Sequence, residues 1–141
     1  MKITQRTLLV VSTCTLTLST AACAGAQNTP LNATSEAPAA QGKLETRRTE
    51  NQNTEVNLEV RHLAPPQKIA SDATVYVVWT KPLTGDVPPQ NVGSLVVDAD
   101  RMGSLKTKTP FERFNLMVTP EPSPSVIAPS HDPVMKAKVE R

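Results

Sequence analysis

Aromatic residues make up only 3% of this 141-residue chain, with one Trp, one Tyr and two Phe. A core with so few rings must be assembled from Val, Leu and Ile. Cysteine is nearly absent too: Cys14 and Cys23 are the only two, which leaves no framework of disulfides to staple a small domain. Helix-friendly sequence is scarce, because 13 prolines interrupt the chain and proline breaks helix interiors. No excess of one charge exists either. The net charge of +2 includes Lys2 and Arg6 at the extreme N terminus, and without them 13 basic side chains balance the 13 acidic ones. Nucleic-acid binding needs a basic face to displace phosphate counterions, and the pair Arg47 and Arg48 is too small to supply one.

The first 22 residues have the three parts of a secretory signal. Lys2 and Arg6 form a positive end, Leu8 to Leu18 an apolar stretch, and small residues follow. A spanning helix needs roughly 20 apolar residues, whereas this stretch is short and diluted by Ser12, Thr13, Thr15 and Thr17. Cleavage is therefore expected, with Cys14 leaving with the signal. Ala24, Gly25 and Ala26 offer an alternative secretory cleavage before Gln27.

Residues 24–53 are rich in Ala, Thr, Asn, Gln, Ser, Glu and Arg, with Leu31 and Leu44 as the only large aliphatic side chains. That composition predicts a flexible spacer over 23–53. A random coil of about 30 residues holds its ends some 30 Å apart.

From Thr54 the pattern becomes short alternating runs between Pro, Gly and Asp, the signature of an all-β sandwich or barrel over 54–141. Val56, Leu58 and Val60 alternate with Asn57, Glu59 and Arg61, which predicts a strand wet on one face. Val75 to Thr80 is apolar on both faces and belongs in the middle of a sheet. Val92 to Val97 and Phe114 to Val118 predict further strands. Met135, Ala137 and Val139 alternate with Lys136, Lys138 and Glu140 in a closing strand. Asp98 to Leu105 reads as a hairpin between neighbouring strands, and Pro120 to Pro133 as a long extended connection over the surface.

Two resemblances add to this reading. Ala21 and Ala22 before Cys23 resemble the lipobox of bacterial lipoproteins, although Thr20 stands where that family usually has Leu. The resemblance implies a fatty acid, such as palmitate, on Cys23, with Ala24 favouring the periplasmic face of the outer membrane. The order of Tyr76, Val77, Val78, Trp79 and Pro82, then Pro89 to Gly93, then Val97 to Gly103, then Phe114 to Pro122 resembles the extracytoplasmic C-terminal domain of anti-sigma-K factors. It implies a small antiparallel, immunoglobulin-like β-sandwich without enzymatic activity. The sigma-binding region and membrane helix of those factors have no counterpart here, so the fold carries over and the regulation does not.

Reactive motifs are few. No serine lies in a G-x-S-x-G elbow, and the one cysteine after the signal is the expected lipid carrier. His62 and His131 would form a metal site only if they met a carboxylate in space. Asp98 to Gly103 begins like a calcium loop but has Met102 and Thr109 where oxygen ligands belong, so a turn is the better reading. Trp79 and Tyr76, three apart in one strand, point to opposite faces; an exposed ring beside Pro82 and Pro88 would make a docking patch, a buried one part of the core. These features lead to the expectation of a non-catalytic, membrane-anchored envelope protein without cofactor, acting through a protein partner. The alternative is a ligand- or metal-binding sensor domain linked to envelope signalling.

Overall fold

In the computed structural model, residues 25–140 are described; the signal segment and Cys23 lie outside them. Eight antiparallel strands follow one another: β1 (Gln27–Ala33), β2 (Gln41–Arg48), β3 (Thr54–Arg61), β4 (Val75–Pro82), β5 (Gln90–Leu95), β6 (Gly103–Thr109), β7 (Phe114–Glu121) and β8 (Met135–Val139). A single helical turn, α1 (Pro66–Ile69), starts on a proline whose missing N–H costs nothing at that position. The strand order is β5-β4-β7-β8-β1-β2-β3-β6.

These strands form two layers. β1, β2, β3 and β6 make one, and β5, β4, β7 and β8 the other. β1 joins them, because its first five residues pair with β2 and its last two, Asn32 and Ala33, pair with β8. The remaining strands follow the Greek-key order of an immunoglobulin-type sandwich, with β2-β3-β6 against β8-β7-β4-β5. Opposite the β1 bridge the layers nearly close. Thr107 Oγ1 donates to the Val92 carbonyl at 2.7 Å, and the Leu105 side chain lies over Gly93, where a Cβ would approach it to 3.2 Å.

The spacer expected over 23–53 is thus replaced by two strands. β2 pairs with β3 along its whole length, from Gln41 opposite Arg61 to Arg48 opposite Thr54. The inward positions of this region are filled by few large side chains. Leu31 and Leu44 enter the core, Thr46 is fully buried, and Gly42 yields its place to Leu31 and Met135. A Cβ on Gly42 would stand 2.8 Å from the Met135 methyl. Gly42→Ala is therefore expected to cost about 1–3 kcal/mol through overpacking. Urea denaturation would check this, and an unchanged midpoint would mean that Leu31 and Met135 do not meet over residue 42.

The remaining strands agree with the sequence pattern. Val56, Leu58 and Val60 face the core from β3. β4 lies between β5 and β7 and is buried on both faces from Tyr76 to Thr80. The expected hairpin at Asp98 is a tight turn that crosses between layers. Asp98 N–H donates to the Met102 carbonyl, Arg101 N–H to the Asp98 carbonyl, and Met102 N–H to Asp98 Oδ1 at 2.9 Å. Arg101 takes φ 60°. The strands it joins, β5 and β6, sit at opposite ends of the strand order, so they are not ladder partners. β5 pairs with β4 in one layer and β6 with β3 in the other, so the turn carries the chain from layer to layer instead of closing a hairpin.

Candidate functional site

The densest polar arrangement among the described residues lies on the outer face of the β4–β7 layer. Alternation along β4 turns Tyr76 and Val78 into the core and Val77 and Trp79 outward. Val77 and Trp79 are nevertheless 0% exposed, because the connection from Pro122 to Pro133 crosses over them. Besides the Thr34 Oγ1 hydrogen bond to the Pro133 carbonyl at 2.7 Å, three attachments hold this strap. Thr74 Oγ1 donates to the Pro122 carbonyl at 2.8 Å. Asn91 Nδ2 donates to the carbonyls of Pro124 and Val126 at 2.9 and 3.0 Å; a bulge in β5 between the partners of Val78 and Trp79 frees that side chain to reach out. The third attachment is Glu121.

Glu121 is the last residue of β7 and is fully buried. Its Oε1 accepts from Thr119 Oγ1 at 2.6 Å and from the Ser130 N–H at 3.0 Å. Its Oε2 accepts from Ser130 Oγ. Thr119 Oγ1 in turn accepts from Trp79 Nε1 at 2.8 Å. On the outer side, Ser130 Oγ lies 3.1 Å from His131 Nδ1, and His131 Nε2 lies 3.1 Å from Asp72 Oδ1. One chain of contacts therefore runs from the buried indole to a surface carboxylate. A buried carboxylate is tolerable only when its lone pairs are filled, and here three donors fill them.

Asp72, His131 and Ser130 have the connectivity of a hydrolytic relay. Here the Ser130 hydroxyl and the Ser130 N–H both donate to the Glu121 carboxylate. The arrangement ties the strap to the sheet.

The other candidates are placed as follows. His62 follows β3 at φ 56° and is exposed. No group of three or more His, Cys, Asp or Glu that could hold a metal exists among the described residues. Asp98 to Gly103 is the turn already described. Both rings of the expected docking patch are buried. No local sequence pattern signals the His131–Asp72 contact, which joins residues distant along the chain.

Tyr76 donates its hydroxyl to the Ala64 carbonyl at 2.7 Å. Burial pushes its phenol up from 10.0 to about 12. The neutral ring is the form the fold holds, so its contribution is complete below the unfolded value near 10. That contribution, on the order of 2 kcal/mol, is lost as pH climbs from about 10 to about 12. With one Tyr in the chain, phenolate absorbance reports this residue alone. Wild type is expected to lose stability across that window and Tyr76→Phe to lose less; parallel losses would disprove the assignment.

On the outer face of the β2–β3–β6 layer, Glu55 bridges Arg47 at 3.3 Å and Lys106 at 3.5 Å. Partial burial works against its charged form, but the two cations together hold the carboxyl below its usual range. At the C-terminal end Lys138 and Arg113 do the same for Glu140, Lys138 chiefly through its hydrogen bond. Among the described residues no helix is long and apolar enough to cross a membrane. Comparison with family models, with curated proteins and with solved structures gave no match.

Proposed function

We propose that this chain is a non-catalytic, lipid-anchored protein of the cell envelope, whose β-sandwich serves as an interaction or structural module. The observation that carries the reading is the junction between anchor and fold: only Ala24, Gly25 and Ala26 separate Cys23 from the first strand residue, Gln27. A lipid on Cys23 would hold the folded domain at the membrane surface, on the periplasmic face of the outer membrane if Ala24 directs sorting. At the opposite end of the sandwich Val96 and Met102 stay 74% and 44% exposed on either side of the Asp98 turn. Apolar side chains left in water at that end suit contact with a protein partner.

Growth with a labelled fatty acid tests the anchor. The native protein is expected to carry the label and to sediment with membranes, and Cys23→Ser to do neither. An unlabelled native protein would defeat the proposal.

A further inference from the structure

We propose that the end of the sandwich where β1 begins docks against an anionic bilayer surface, an inference that rests on lipid attachment at Cys23. Strand register fixes which residues share that end. Gln27 lies opposite Thr46, Arg48 opposite Thr54, and Thr54 opposite Thr109. Phe114 lies opposite both Pro82 and Val139. The β2–β3 turn, the β6–β7 turn, the β4–β5 connection and the end of β8 therefore surround the start of β1. Gln27 Nε2 also reaches the Glu140 carbonyl, at 3.4 Å.

Four residue steps from Cys23 to Gln27 span at most about 14 Å. An eight-residue strand is about 26 Å long. The acylated residue can thus touch only the near end of an upright domain, though the leash alone would also let the domain lie on its side.

The charge distribution decides between these orientations. Arg47, Arg48, Lys81, Lys108, Arg113 and Lys138 belong to the near end together with Lys106, and these seven outnumber Glu45, Glu50, Glu55, Asp86, Glu112 and Glu140 by one. The far end reverses the balance. There Glu36, Glu59, Asp72, Asp98, Asp100, Asp132 and the buried Glu121 outnumber Lys43, Arg61, Lys68, Arg101 and Lys136. A nearly neutral domain is therefore a dipole whose positive end is the tethered one. A negative bilayer attracts that end and repels the other, and each Lys or Arg brought close strengthens the association about fivefold, less where a carboxylate stands beside it. An open concavity of about 880 Å³ lies at this end, with Arg47, Arg48, Thr49, Asn51 and Lys108 on its walls beside Glu50 and Glu55. Its cations, hydroxyl and amide suit a phosphate-bearing head group.

The test uses the acylated full-length product in vesicles containing phosphatidylglycerol. The lipid blocks Cys23, so a cysteine introduced as Asn51→Cys or Asp100→Cys takes a fluorescent label alone, and a lipid spin-labelled on its head group quenches it. The label at 51 is expected to be quenched several-fold more than that at 100. The ratio should fall toward one with Arg48→Glu and Lys108→Glu combined, and at high salt. Equal quenching of acylated protein overturns the docking while leaving the anchor in place, and a ratio indifferent to charge reversal overturns its electrostatic basis. An intact mass without acyl chains overturns the anchor and the docking together.

Discussion

Leu44→Ala is expected to destabilise the protein by about 2–5 kcal/mol, the range for emptying a Leu site in a packed core. Leu44 is 0% exposed and lies opposite Leu58 of β3, which in turn lies opposite Leu105 of β6. Removing the side chain leaves a void in the middle of that layer, where neighbours held on three paired strands have little freedom to collapse. In a flexible spacer the same substitution would change nothing measurable. Urea unfolding followed by circular dichroism separates the cases, since a midpoint shift near zero would return residues 41–48 to the tether.

The second large effect is expected at Glu121. Glu121→Leu keeps the volume apolar but strips the acceptor from Thr119 Oγ1, the Ser130 N–H and Ser130 Oγ. Buried donors without partners cost about 1–3 kcal/mol each. Water admitted beside a loosened strap would relieve part of this, so a loss of about 2–4 kcal/mol is expected. The readout is direct, because Trp79 is the only Trp in the chain and its Nε1 hangs on Thr119 in this network. Its emission should shift to the red and become open to acrylamide quenching in the folded variant. An unshifted spectrum with unchanged stability would mean that Glu121 does not hold the strap over the indole.

The sequence pattern made some parts of this fold legible and hid others for physical reasons. β3 and β8 alternate large aliphatic with charged residues, and β4 has a run apolar on both faces, so periodicity alone located them. β1 and β2 escaped because their inward positions are filled by Thr29, Thr46, Gly42 and only two leucines, a composition that reads as polar spacer. A signal was present nonetheless: Lys43, Glu45 and Arg47 alternate with Gly42, Leu44 and Thr46, a period of two without the usual hydrophobicity. The β5–β6 turn was found as a turn, but which strands it served depended on long-range pairing that no local pattern encodes. The strap network lay furthest from view. Asp72, His131, Ser130 and Glu121 fall into one line of contacts only because β4 pairs with β7 and the connection folds back over that pair.

The shortened leash also changes what the anchor implies. A thirty-residue coil would let a lipid-anchored domain roam, whereas with the proposed lipid on Cys23 a junction of three small residues would hold one end of the sandwich near the membrane and leave Val96 and Met102 at the other. The distribution of charge along the strands follows the same axis.

Hydrogen exchange resolved by residue tests most directly that the sandwich begins at Gln27. Amides of β1 and β2 that bond within the ladder are predicted to exchange as slowly as their counterparts in β4 and β7, opening only with global unfolding. Exchange of residues 27–48 at the rate of an unstructured chain, with protection starting at Thr54, would contradict the account.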